Sequence, residues 1–345
     1  MIRLGLIGCG AHSESGHAIP LARYKAAHPD ELLLAAVCDL QMERARDFSR
    51  KYGFLAPYRD VDEMLRQENL DGCIAVVPPK HISQLGIKLL SLGIPCVVEK
   101  PLGASLAEAL ALRDSAAATK TPNMVSVNRR FMPLLNRAIE WTSHTGRLRY
   151  VHCTLARHSR QEPEFLWATA VHAVDTLRHI AGQVIAFDLR PLKAPSGATA
   201  WYALDLQCEN GISGRVDVLP TAGMLEETYD LFGDGFRASV TCPFGPQLGW
   251  RCFRDGRLVE AENVLAETPE DIVNGCYNEA AAFLEVLSGG APKPSIAEVF
   301  PSVELCFAIA RIANEGALAN GRLGRIRLVS DSVKRLFANR DHSPL

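Results

Sequence analysis

Apolar runs alternate with helix-like stretches along the first third of the chain. The run "IRLGLI" is followed at once by "GCGAHSESGHAIPLARYKAAH", which reads as strand, glycine turn and helix. A second apolar run, "ELLLAAVCDL", ends at Asp39, and "QMERARDFSRKYG" predicts a helix closed by Gly53 just past its C-terminus. Asp60 with Glu63 three residues later has capping-box spacing, and "GCIAVVPP" gives a β-rich run ending at Pro78. Another helix from Gln84 leads to a strand in "IPCVVEKP". Continuous Val, Ile and Leu runs separated by helices predict a parallel sheet covered on both faces, so this part is expected to be doubly wound α/β.

The pattern changes near Asn123, and two domains are expected, 1–122 and 123–345. "RLRYVHCTLARH" and "ATAWYALDLQC" are β-rich and partly alternating, and Asn210-Gly211 joins the latter to "ISGRVDVLP" as a tight hairpin would. Further turns fall at "GDG" (233–235) and at Asp255-Gly256. Consecutive hairpins predict a large, mostly antiparallel sheet. Helices at 167–181 and 275–288 are expected to cover one of its faces, leaving the other open for a second copy of the chain, as homodimer or homotetramer. The helix from Ser295, with Glu298 three residues on, is expected to return to the first domain.

Composition narrows the function. Lys and Arg number 37 against 39 Asp and Glu, a formal charge of -2, with no run of like charge, which argues against nucleic acid or an anionic membrane as partner. Ten cysteines are scattered through apolar runs with no C-x-x-C pair, as small buried hydrophobes of a reducing compartment would be. The start "MIRLGLIG" enters a strand pattern directly, and no apolar run has membrane-spanning length, so a cytoplasmic, soluble protein is expected. No His, Cys, Asp and Glu group has metal spacing along the chain, so no metal is expected.

In a doubly wound sheet, ligands bind outside the carboxyl ends of the strands. Gly8 and Gly10 follow the first strand, Asp39 ends the second, Pro78 and Pro79 follow the "IAVV" run, and Glu99-Lys100-Pro101 ends "PCVV". The glycines let backbone approach a pyrophosphate at the helix N-terminus, near Ala11 and His12, and Asp39 has the place of a ribose acceptor. Asp39 serves equally as an N-cap for "QMERA". As ribose acceptor it favours NAD(H), because the 2'-phosphate of NADP(H) meets a like charge; NADP(H) stays open. Ser13 stands where the third glycine of G-x-G-x-x-G belongs, and the turn before the helix reads as long. Lys100 is either a proton donor beside a cofactor or an ordinary solvated strand-end lysine.

"VPPKHISQLGIKLLSLGIPCVVEKPLGASLAEA", "VNRRF" and "HAVDTLRHIAG", in this order, resemble the proline turn and Glu-Lys-Pro strand end, the segment after the nucleotide domain, and the His-x-x-Asp helix of the Gfo/Idh/MocA (glucose-fructose oxidoreductase and inositol dehydrogenase) family. The resemblance runs from "LIGCG" to "YNEAAAFLEVL". It implies an N-terminal Rossmann domain binding NAD(H) or NADP(H), a C-terminal α/β domain with a large open sheet that commonly makes oligomers, and hydride transfer at a carbon of a sugar, polyol or related small molecule. It places His81 on the nucleotide side and Asn128 and Arg130 on a substrate-facing turn. Lys100, His172 and Asp175 become the catalytic candidates, with His172 and Asp175 one helical turn apart, and His158 a further substrate-side candidate. The family's usual carboxylate four residues before the histidine is Ala168 here. Three outcomes follow: Lys100 and His172 suffice for turnover, the protein binds dinucleotide and ligand as a sensor with little turnover, or His172 is a core histidine. Elimination assisted by transient oxidation, as some relatives perform, is a further enzyme alternative.

Overall fold

A computed structural model describes residues 1–192, 201–314 and 326–327. They form two units, Met1–Met132 with Thr268–Val303, and Pro133–Glu267 with the chain from Glu304 onward.

The first unit holds six parallel strands: β1 (Ile2–Ile7), β2 (Leu32–Cys38), β3 (Ala56–Tyr58), β4 (Gly72–Ala75), β5 (Cys96–Glu99) and β6 (Asn123–Ser126), in the order β3-β2-β1-β4-β5-β6. β6 lies beyond the boundary expected at 122/123, and it pairs with β5 in full register. The chain steps from β1 to β2 and β3 on one side, then crosses back to β4. A crevice therefore opens at the carboxyl ends of β1 and β4, where the two halves diverge. Leu4, Leu6, Leu34, Ile74, Val97 and Met124 are buried in one core, as strands sandwiched between helices must be. Asp60 accepts a hydrogen bond from the Glu63 N–H, so this helix start is capped as expected, and Ser105 caps a second helix by accepting from the Glu108 N–H.

The helix Cys276–Leu287 does not cover the second sheet, contrary to the expectation for 275–288. Its Ala280, Phe283 and Leu284 enter the core of the first unit beside Leu4 and Leu6. Its amphipathic pattern announces an apolar face without saying which sheet receives it. Ser295 and Glu298 form the expected reciprocal capping box, and the Ile296 N–H donates to Asn123 Oδ1 at 2.9 Å, so this helix starts against β6.

The second unit is one sheet of β7 (Leu148–Ala156), β8 (Val184–Leu192), β9 (Trp201–Cys208), β10 (Ser213–Leu219), β11 (Glu226–Gly233), β12 (Phe236–Thr241), β13 (Gly249–Arg254), β14 (Arg257–Asn263) and β15 (Ile326–Arg327). Their order is β14-β13-β12-β11-β7-β10-β9-β8-β15, and the β7–β10 pair is parallel while the rest are antiparallel. Val151, Cys153, Leu155, Val216 and Val218 are buried on the face that carries helix Val171–Ala181, and helix Pro133–Thr145 packs on β11, β12 and β13. The alternate residues Tyr150, His152, Thr154, Arg215 and Asp217 are only half-buried, which makes the other face polar. Asn210-Gly211 closes the β9–β10 hairpin, with Gly211 in the left-handed region. All ten cysteines are buried and unbridged, and no helix among the described residues is long and apolar enough to cross a membrane.

Candidate active site

β1 ends in a turn that only glycine fits. Gly8 has φ +99°, its N–H donates to Cys38 O at 2.7 Å, and a Cβ there would lie 1.9 Å from the Val76 carbonyl oxygen. Gly10 is extended and caps a helix that starts at Ala11, so the turn is short, not long as the sequence suggested. The extra length is absorbed inside the helix: Ala11–Ser13 is α, Glu14–Ala18 is π, and Ile19–Ala27 is α again. Ser13, in place of the third glycine, is buried and its hydroxyl donates to Gly8 O at 2.6 Å, tying the helix to the turn.

Asp39 leans back over this turn. Its Oδ2 accepts from the Cys9 N–H at 2.9 Å and its Oδ1 from the Gln41 N–H at 2.8 Å. The N-cap of helix Met42–Tyr52 is Gln41, so Asp39 is not the cap. A cavity of about 530 Å³ opens here, and Gly8, Gly10, Asp39, Pro78 and His81 all line it. That volume suits a small-molecule or cofactor site. The open backbone at Gly10, where a Cβ would meet nothing within 4 Å, and the helix start at Ala11 fit a pyrophosphate. Arg44 also lines the cavity and had not been singled out from sequence. Its neighbours Arg46 and Arg50 pair with Glu43 and Asp47, so position on the helix separates Arg44 from them.

Ala11, His12, Pro79, Glu99 and Lys100 are not among the residues lining that cavity. His12 and Glu99 belong to a second group at the end of β5. Glu99 Oε1 accepts from His17 Nε2 at 2.7 Å and His12 Nε2 at 3.0 Å, while Oε2 accepts from the Lys100 N–H at 3.2 Å. Burial alone raises the Glu99 pKa, but the two imidazoles outweigh it and hold the carboxyl well below the usual range. Glu99 in turn raises the His12 pKa. Although no metal spacing exists along the chain, the fold brings His12, His17 and Glu99 together, with ligand atoms within 4.8 Å of one another. The partners are 82 and 87 residues apart, beyond any local spacing rule.

Glu279, on the helix that joined this core, accepts from Ser126 Oγ at 2.9 Å and is fully enclosed. Burial, then the charge of Glu99, push its pKa up to about 8. An unfolded chain sheds this proton near the ordinary carboxyl pKa of 4.5, while the folded chain keeps it until about 8. Stability is thus lost as pH rises through that window, by up to about 1.4 kcal/mol per pH unit. Glu279→Gln removes the titration, so its melting temperature is expected to gain on the wild type steadily from pH 5 to pH 8. Parallel melting curves across that range would refute the assignment.

The remaining candidates occupy fixed places. Asn128 is buried, donates to Asn274 O at 2.8 Å and accepts from Arg129 Nη1 at 2.9 Å, so its amide ties the turn to the segment before helix Cys276–Leu287. Arg130 is half-buried on the same short 3-10 turn, Asn128–Phe131. In the second unit, helix Val171–Ala181 starts four residues later than expected, because Phe165–Ala168 forms a separate turn. His172 is 7% exposed and Asp175 1% exposed; Asp175 lies 4.0 Å from the Arg178 guanidinium. His158 is exposed just past β7. Its neighbour Arg157, which sequence reasoning passed over, is buried against Glu227, whose other oxygen accepts from the Tyr229 hydroxyl at 2.8 Å.

Residues 2–129 match the family model described as "Oxidoreductase family, NAD-binding Rossmann fold" of Gfo/Idh/MocA proteins. The chain is 29% identical over 231 residues to D-apiose dehydrogenase of Paraburkholderia graminis, a match spanning 61% of this chain and 59% of that one. It is 26% identical over 258 residues to inositol 2-dehydrogenase 4 of Saccharopolyspora erythraea, spanning 71% and 72%. The crystal structure of a dehydrogenase from Chromobacterium violaceum shares the fold with a TM-score of 0.82 at 18% identity, over 93% of this chain and 98% of that one. Residues 2–129 therefore carry the NAD-binding Rossmann fold of the Gfo/Idh/MocA oxidoreductases.

Proposed function

We propose that the protein is an NAD(H)-dependent dehydrogenase acting on a sugar, polyol or similar small hydroxy or oxo compound. The observation that carries this is the cavity of about 530 Å³ at the β1–β4 crevice, lined by Gly8, Gly10 and Asp39. Bound NAD supplies a hydride acceptor at its nicotinamide, and NADH the donor. Gly8 and Gly10 bring main chain close to the pyrophosphate, and Asp39 presents a carboxylate, already oriented by two N–H donors, to the adenosine ribose. The strand order runs from β2 through β1 to β5, so a dinucleotide with its adenosine at Asp39 has its nicotinamide directed toward the β5 end. Lys100, half-buried there, is the proposed donor and acceptor of the substrate hydroxyl proton.

His172 and Asp175 are the proposed substrate-side groups of the second unit. The carbohydrate-like substrate class is supported by relatives named D-apiose dehydrogenase and inositol 2-dehydrogenase, and by a neighbour named levoglucosan dehydrogenase. Arg44 beside Asp39 supplies a cation that keeps NADP(H) as a second cofactor. A cytoplasmic homodimer or homotetramer joined through the polar sheet face completes the proposal. Ala168 favours one alternative, a dinucleotide-binding sensor with little turnover, since alanine neither orients nor charges an imidazole. Absorbance of the reduced nicotinamide, followed with NAD and a panel of pentoses, hexoses and inositols, and with NADH and the matching ketones and lactones, tests the proposal. Turnover on at least one compound is expected; dinucleotide binding without turnover on any would favour the sensor.

A further inference from the structure

We propose that His12, His17 and Glu99 form a site for a divalent transition metal of the Zn²⁺ class, with two imidazole nitrogens and one carboxylate oxygen as ligands. Three donor atoms lie within 4.8 Å of one another, and two of the three separations are 2.7 and 3.0 Å. Zinc bonds of about 2.0–2.1 Å in a tetrahedron set donor atoms about 3.3 Å apart. The two imidazole–carboxylate separations therefore need to open by a few tenths of an ångström and the His12–His17 separation, within 4.8 Å, to settle at the same value, with the metal replacing the two Nε2 protons that now bridge to the carboxylate.

The helix is built to bring these histidines together. Residues five apart on an α-helix point about 140° away from each other. His12 and His17 are five apart, and the π segment Glu14–Ala18 between them widens the turn so that both reach Glu99 Oε1. The Lys100 N–H occupies Glu99 Oε2, which leaves Oε1 as a single, monodentate ligand. The His17 and Glu99 side chains are 4% and 6% exposed, whereas that of His12 is 59% exposed. Two ligands are thus held by the interior, and the third supplies the entry path and an open fourth position.

Nitrogen donors select zinc, cobalt or nickel over magnesium and calcium, which take oxygen. The charges of Lys100 and Arg129 act on His12 and oppose a dication. They set the expected dissociation constant in the micromolar range, about 1–10 µM, rather than the far tighter range of closed structural zinc sites. The site goes beyond the hydride-transfer proposal, which gives a metal no task.

The test is calorimetric titration of chelator-treated, desalted full-length protein with zinc chloride, repeated with cobalt(II) chloride while recording visible absorption. One zinc per chain and intensified cobalt bands of a four-coordinate site are expected. His12→Ala is expected to weaken binding by about 100-fold or more, since removing a ligand costs at least what removing its outer partners does. The exposed His12 makes this variant a safe fold, checked by an unchanged melting temperature, and His17→Gln provides the interior counterpart. Unchanged zinc affinity in His12→Ala, or no binding to wild type at 100-fold the expected constant, overturns the proposal. NADH binding, measured separately by fluorescence on metal-free protein, tests the dehydrogenase proposal; its failure leaves the zinc result standing, and the converse holds too.

Discussion

Lys100→Ala is expected to lower kcat/KM by about 10²–10⁴-fold, the usual worth of a positioned acid or base, while the NADH dissociation constant changes by less than about threefold. The split follows from where each part of the residue sits. Its main-chain N–H holds Glu99 Oε2, and alanine keeps that bond. The cavity proposed for the adenosine and pyrophosphate is lined by other residues, so most of the NADH contact is expected to survive loss of the ammonium. Only the proton-carrying amine is lost. Lys100→Arg sharpens the result, because a guanidinium keeps the charge but does not give up its proton near neutrality. If arginine restores activity, Lys100 acts as a fixed charge; if both variants stay inactive, it moves a proton. Activity of Lys100→Ala within tenfold of wild type would remove Lys100 from the mechanism. Steady-state kinetics with fluorescence titration of NADH provide both readouts.

Gly8→Ala is expected to cost on the order of 3–5 kcal/mol of stability and to abolish dinucleotide binding. Two penalties add: an L residue at φ +99°, and a Cβ placed 1.9 Å from Val76 O. That oxygen belongs to main chain and has no rotamer to escape to. The Val76 N–H is bonded to Ile7 O at 2.8 Å, so relief would require separating β4 from β1 at the crevice itself. A melting temperature lower by on the order of 10 °C is expected in thermal denaturation. Gly10→Ala is the contrast, since its backbone is at φ -87° and a Cβ there meets nothing within 4 Å. It should fold normally and lose affinity for NADH, separating the glycine needed by the fold from the one needed by the ligand. Equal melting temperatures for the Gly8 variant and wild type would show that the turn relaxes easily.

The residues at strand ends were legible because their signals are local. An apolar run followed by Gly8, Asp39 or Lys100 places each at the rim of a parallel sheet, and the fold needs no further information to bring them to one edge. The motifs "VPPKHISQ" and "HAVDTLRHIAG" likewise pointed to the family before any strand was paired. What stayed hidden depended on distant choices. The pattern of Cys276–Leu287 shows an apolar stripe, but its burial beside Leu4 and Leu6 is decided by which sheet has a vacancy. Asn128 reads as a substrate contact by position, yet Asn274 O and Arg129, neither predictable as its partner, use its amide. Asp39 was open between two roles until the Gln41 cap removed one of them. The start of the His172 helix was misplaced because "WATA" has good helix formers, while Thr169 breaks the run between Ala168 and Val171.

The π segment at Glu14–Ala18 has a wider consequence for how this chain can change. An α-helix transmits its phase rigidly, so a side chain chosen at one end dictates which faces are available at the other. Here the widened turn works as a phase shifter between the end at Ala11 and His12, beside the glycine turn, and the sheet-facing body at Leu21, which is fully buried. Substitutions that retune one end are released from the packing demands of the other, and a chain with this device can explore new chemistry beside an old cofactor without rebuilding its core.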